Sequence, residues 1–119
     1  MKKKKIYISG KITGMEDEAT KLFEKAEKKL QNDGYEVVNP MTIDHAGNEL
    51  WEDYMKTRII ALMECDCIYM LNNWRDSKGA ALELYNAENL YMDVIFQSRD
   101  RIRKAKAKAK PVLYENLDS

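Results

Sequence analysis

Histidine and cysteine, the usual makings of zinc sites and disulfide scaffolds, are nearly missing here: one histidine, His45, and two cysteines occur among 119 residues. A single histidine excludes a His-rich metal site and speaks against zinc catalysis. No metal and no other cofactor is expected. Cys65 and Cys67 are one residue apart, which gives neither a disulfide framework nor a C-x-x-C redox or zinc motif. Reduced, partly buried thiols fit that spacing and suit a cytosolic protein. A surplus of charge is also lacking, since 20 Lys+Arg against 20 Asp+Glu leave a formal net charge of zero. Wholesale affinity for nucleic acid or a membrane surface needs a positive surplus, so neither partner is expected. No apolar run approaches the ~18 residues that span a bilayer. The run Lys2 to Lys5 resembles the start of a signal peptide, but Ile6-Tyr7-Ile8 is too short for its apolar segment. A cytoplasmic location is therefore expected. No internal repeat is visible.

What is present is an apolar content of 45%, enough for a single globular domain over residues 1–119 with one core. Ile6 to Ser9 reads as a buried first strand ending in a Ser-Gly turn. Ala19, Leu22, Phe23, Ala26 and Leu30 mark one face of an amphipathic helix. Gly34 suits the left-handed residue after that helix. Tyr35 to Val38 follows as a second strand, and Pro40 takes the chain out of the sheet. Residues 41–48 read as loop and about Leu50 to Cys65 as a second helix. Cys67 to Leu71, apolar on both faces, suits the centre of a parallel sheet. A polar turn over 72–78, a helix over about Gly79 to Tyr91 and a strand at Val94 to Phe96 complete the alternation. The basic segment Arg99 to Lys110 reads as helical through its lysine-alanine repeat, and Val112 to Glu115 as a fifth, outer strand. The expected fold is α/β: a flavodoxin-like or Rossmann-like three-layer sandwich with a parallel sheet of four or five strands.

Ligands of such sheets sit beyond the carboxyl ends of the strands. The loop Ser9-Gly10-Lys11-Ile12-Thr13-Gly14 is not a Walker A loop: Lys5 stands where its first glycine belongs, and Ile12 where its hydroxyl belongs. Its glycines and Thr13 could expose N–H groups to an anion, or simply make a turn. The loop after the third strand leads into a helix whose apolar stripe is Ala80, Leu84, Ala87 and Tyr91. Glu83 projects from that stripe. A carboxylate on a sheet-facing side near a helix start either merely caps it or pairs with Lys78, or has chemical work there.

Five strings, in order, carry a resemblance: Ile6-Tyr7-Ile8-Ser9-Gly10, Gly34-Tyr35-Glu36-Val37-Val38-Asn39-Pro40, Trp51-Glu52-Asp53-Tyr54-Met55, Cys65-Asp66-Cys67-Ile68-Tyr69-Met70-Leu71, and Ser77-Lys78-Gly79 followed by Glu83. From about Ile6 to Phe96 the chain resembles the nucleoside 2-deoxyribosyltransferase superfamily, and within it the small bacterial and phage, DUF4406-like branch. The resemblance implies that Glu83 is a nucleophile attacking C1′ of a 2′-deoxynucleoside and expelling the base. A second base or water would resolve the glycosyl-enzyme, as in retaining glycosidases. It implies that Tyr7 hydrogen-bonds the nucleophile. Ser77 stands where the transferases carry an aspartate that holds the sugar hydroxyl, whereas the 5′-monophosphate N-glycosidases carry serine there and bind phosphate. That tilts the ligand toward a nucleotide. Ser77, Gly79 and Gly10 are expected to hold the sugar or phosphate, Ser9, Thr13 and Arg58 to bind substrate as well, and Asn39 and Trp74 to line the pocket; Trp74 reads equally well as a rim aromatic. One position departs from the pattern. Eight residues before Asp66, where active members carry an aspartate beside the leaving base, this chain has Arg58, and a guanidinium is no general acid at neutral pH. The other reading is therefore a catalytically silent nucleotide-binding module. The Arg99 to Lys110 run reads as a solvated helical face rather than a nucleic-acid tail, because no aromatics interleave to stack bases. Exposed apolar residues on the second and third helices fit a homo-oligomer.

Overall fold

A computed structural model describes residues 2–43, 50–99 and 101–103. The elements run β1 (Lys5–Ser9), α1 (Glu16–Asn32), β2 (Glu36–Val38), α2 (Trp51–Met63), β3 (Cys67–Met70), α3 (Lys78–Asn89), β4 (Asp93–Phe96) and β5 (Arg101–Arg103). Short 3-10 turns occupy Pro40–Thr42, Trp74–Asp76 and Gln97–Arg99. The sheet order is β2-β1-β3-β4-β5, the first four strands parallel and β5 antiparallel to β4. This is the expected α/β sandwich. The alternation along β1 builds its two cores. Ile6 and Ile8 face α1 and pack with Ala19, Phe23, Ala26 and Leu30. Tyr7 faces the other layer, where Leu62 of α2 and Ala80, Leu84 and Ala87 of α3 close over Ile68, Met70 and Val94. All four residues of β3 are buried, as befits a strand with parallel neighbours on both sides and helices on both faces.

The end of α1 follows from Gly34, whose φ of +99° only glycine adopts without strain. Gly34 N–H donates to Gln31 O and Tyr35 N–H to Leu30 O, both at 3.0 Å, the paired bonds of a Schellman stop. The chain thereby reverses directly into β2.

Three expectations are corrected. Leu22 is 39% exposed rather than part of the α1 face, because its position falls at the edge of the arc defined by 19, 23, 26 and 30. Tyr91 lies past the end of α3 with φ +60° and is 38% exposed, so the stripe stops at Ala87. The basic segment does not begin as a helix. Arg101–Arg103 turns back along the open edge of β4, where ladder hydrogen bonds outweigh helix propensity. These three residues make β5, antiparallel to the four parallel strands. The lysine-alanine repeat over 104–110, the strand expected at 112–115 and the His45 loop lie outside the described residues. Both cysteines are buried and neither is in a disulfide, and burial pushes the Cys65 thiol up to about 11, which keeps it protonated and inert. Among the described residues no helix is long and apolar enough to cross a membrane.

Candidate functional site at the mouth of the sheet

In an order of β2-β1-β3-β4, the winding reverses between β1 and β3, and the loops after those strands flank the resulting crevice. They are tied together: Lys11 N–H of the first loop donates to Asn73 Oδ1 of the second at 3.0 Å. The first loop reaches this position because Gly10 has no side chain. A Cβ there would fall 2.7 Å from Leu71 Cδ1 and 2.9 Å from Leu71 Cβ. We expect Gly10→Ala to cost about 1–3 kcal/mol, the usual size of an overpacking penalty, read as a drop in the urea midpoint at unchanged slope. Gly79 plays a similar part at the start of α3, where a Cβ would meet Met55 Sδ at 2.9 Å.

Glu83 is 4% exposed. Tyr7 and Ser9, two apart on β1, project to the same face of the sheet and converge on it. Tyr7 Oη donates to Glu83 Oε2 at 2.5 Å, and Ser9 Oγ donates to Oε1 at 2.7 Å. These bonds overturn the plainer alternative in which Glu83 pairs with Lys78, whose ammonium instead lies 4.4 Å from the centroid of the Trp51 ring. Burial pushes the Glu83 carboxyl up to about 7, and the two hydroxyl bonds and the Arg58 charge hold it down from going further. The group therefore holds its proton to far higher pH than an ordinary carboxyl. Burial first, and then the neighbouring Glu83 charge, keep the Tyr7 phenol well above its usual range, so it remains a donor.

A cavity of about 290 Å³ opens beside this carboxylate. Of the expected site residues, Tyr7, Gly10, Thr13, Arg58, Ser77, Gly79 and Glu83 line it. Ser9 is 1% exposed and acts from behind, through Glu83. Ser77 caps α3, its Oγ accepting from Ala80 N–H at 3.0 Å. Its hydroxyl proton is still available to a ligand. Two expectations do not hold. The Asn39 side chain is 3% exposed and engaged elsewhere, accepting from Met41 N–H at 2.9 Å and donating to Glu27 Oε1 at 3.1 Å. It caps the turn that begins at Pro40 and is not on the cavity wall. Trp74 packs against Phe96, ring centroids 6.2 Å apart, and is likewise absent from the wall.

The sequence reading missed Trp51, Met55, Lys11, Asp76 and Lys78, all of which line the cavity. A signal existed for two of them. Trp51, Met55 and Arg58 are spaced four and three apart, one face of α2. Both Trp51 and Arg58 also border a second, adjoining cavity of about 440 Å³, together with Ile12, Thr13, Pro40 and Tyr54.

Fold and site together define an α/β protein with a buried, hydroxyl-held carboxylate beside a cavity at the carboxyl ends of its parallel strands. The solved structure of a 2-deoxyribosyltransferase from Bacillus psychrosaccharolyticus shares this fold with a TM-score of 0.57 at 24% identity, over 77% of this chain and 70% of that one. The sequence profile of a domain of unknown function, DUF4406, matches residues 4–96, and the chain belongs to that family. No curated protein matches the sequence.

Proposed function

We propose that the protein cleaves or exchanges the N-glycosidic bond of 2′-deoxynucleosides or their 5′-monophosphates, with Glu83 as nucleophile. One observation carries this reading: a carboxylate buried against two hydroxyl donors, at the wall of a cavity placed where open α/β sheets bind ligands. Ionised Glu83 attacks C1′ and the base departs with the C1′–N electron pair. Water or an incoming base then displaces Glu83 from C1′. Tyr7 and Ser9 orient the carboxylate so that one lone pair faces the sugar. Ser77, Gly79 and Gly10 hold the sugar or a 5′-phosphate, and the free N–H groups at the start of α3 favour an anion there. Exposed Ile60 and Met63 on α2 and Leu82 and Tyr85 on α3 support a homo-oligomer, and two cysteines outside any disulfide suit a cytoplasmic setting.

Arg58, in place of the aspartate of active relatives, favours a second reading: a module that binds nucleotides without turnover. Incubation with each 2′-deoxynucleoside and each 5′-monophosphate, followed by chromatography for free base, separates the two. Released base supports the enzyme. Binding to all with release from none leaves the module.

Because the nucleophile must be ionised, kcat/KM is expected to rise with pH through about 7. Tyr7→Phe removes a bond that favours the carboxylate, so the limb should move to higher pH and release at neutral pH should fall about tenfold or more. A pH–rate profile unchanged by that substitution would dissociate Tyr7 from the titration.

A further inference from the structure

We infer that Arg58 selects the leaving base: the site takes nucleosides whose base turns a ring carbonyl toward the guanidinium and discriminates against their amino-substituted counterparts. The inference rests on the proposed cleavage at Glu83 and adds to it the class of base. Arg58 stands on the wall common to the two cavities, whereas Glu83 borders only the first. A sugar with C1′ at Glu83 therefore has the second cavity, beyond Arg58 and Trp51, as the adjoining space for its base. The guanidinium is held over the Tyr54 ring, 5.3 Å from the centroid. Its Nε is buried and has no hydrogen-bond acceptor among the described residues. A buried donor without a partner costs free energy that a bound acceptor recovers. Arg58 acts on Glu83 only as a through-space charge, so its donors are not committed to the nucleophile.

An arginine cannot give up its proton, but it offers a fixed charge and a fork of N–H groups. That fork matches the N7 and O6 acceptors of an oxopurine. At the same edge adenine presents an amino donor, and cytosine differs from uracil or thymine in the same sense. In the first step the Glu83–C1′ bond forms, the C1′–N bond breaks and its electron pair passes to the base. The negative charge spreads onto the carbonyl oxygen facing Arg58. The base then takes a proton from solvent. Water attacks C1′, the ester bond reverts to the Glu83 carboxylate, and the water proton returns to solvent. Charge stabilisation of a departing anion thus stands in for the proton that an aspartic acid would supply.

The test uses the full chain with paired substrates, deoxyinosine against deoxyadenosine and deoxyuridine against deoxycytidine, as nucleosides and as 5′-monophosphates. Calorimetry of hypoxanthine against adenine runs in parallel. Hypoxanthine and uracil should be released about 10- to 100-fold faster than adenine and cytosine, the weight of one charge-assisted hydrogen bond. Arg58→Gln should flatten that ratio, while Arg58→Lys, charged but without the fork, should keep part of it. Equal release within each pair, or a preference untouched by Arg58→Gln, overturns the inference and leaves the cleavage reading standing. Release from no substrate overturns the cleavage reading. The calorimetry then decides for Arg58: a hypoxanthine preference lost in Arg58→Gln upholds base selection, and equal binding ends it. If the variant fails to fold, the wild-type ratios decide alone.

Discussion

Glu83→Gln is expected to lower base release by about 10⁴-fold or more, the scale on which removing a catalytic nucleophile acts. The amide matches the carboxylate in shape and still accepts from the Tyr7 hydroxyl. Its NH₂ can donate to Ser9 Oγ, which then accepts instead of donating. Nothing in the surrounding core has to move. The substitution removes the nucleophile and leaves the packing. Chromatographic release assays with near-ultraviolet circular dichroism separate lost chemistry from lost structure. Wild-type release rates in a folded Glu83→Gln protein would exclude Glu83 from the reaction.

The same substitution is expected to stabilise the fold above neutral pH. The Glu83 carboxyl ionises at about 7 in the folded chain against an ordinary 4.5. The folded state therefore holds this proton more tightly than the unfolded chain does. Its contribution is fully present below about 4.5 and is lost as pH rises through about 7. The gap between those values, at ~1.4 kcal/mol per pH unit, amounts to about 3 kcal/mol. Urea unfolding of the two proteins from pH 4 to pH 9 should show their stabilities diverging by that order, with Glu83→Gln the more stable at the alkaline end. Parallel curves would mean that the carboxylate is better solvated than its burial implies. A group that opposes the fold when charged is what a poised reactive carboxylate requires, since full solvation would both stabilise it and blunt its attack.

Much of the layout was legible because it is written in local pattern. The 3-4 spacing of Ala19, Phe23, Ala26 and Leu30, and the unbroken apolar run of β3, each have one low-energy way to bury themselves. Glu83 stood out because a carboxylate on an apolar helix face is expensive anywhere but at a site. Asn39 and Trp74 misled for one reason. Both sit in loops at the right end of the sheet, but the direction of a loop side chain depends on which neighbour satisfies it. Asn39 found the Met41 amide and Glu27, and Trp74 found Phe96. The start of the basic segment misled because edge pairing with β4 is a contact between residues that helix propensity does not consider.

By itself the sequence determined the succession of strands and helices, the glycine stop after α1 and the identity of the odd carboxylate, since periodicity and backbone freedom act over a few residues. Only the tertiary structure decided that Tyr7 and Ser9, more than 70 positions away, both donate to Glu83, and that Arg58 borders two cavities and carries a buried Nε without an acceptor among the described residues. Those facts depend on how β1, α2 and α3 meet across the sheet, and burial at that meeting point sets both the Glu83 proton affinity and the space left for a ligand.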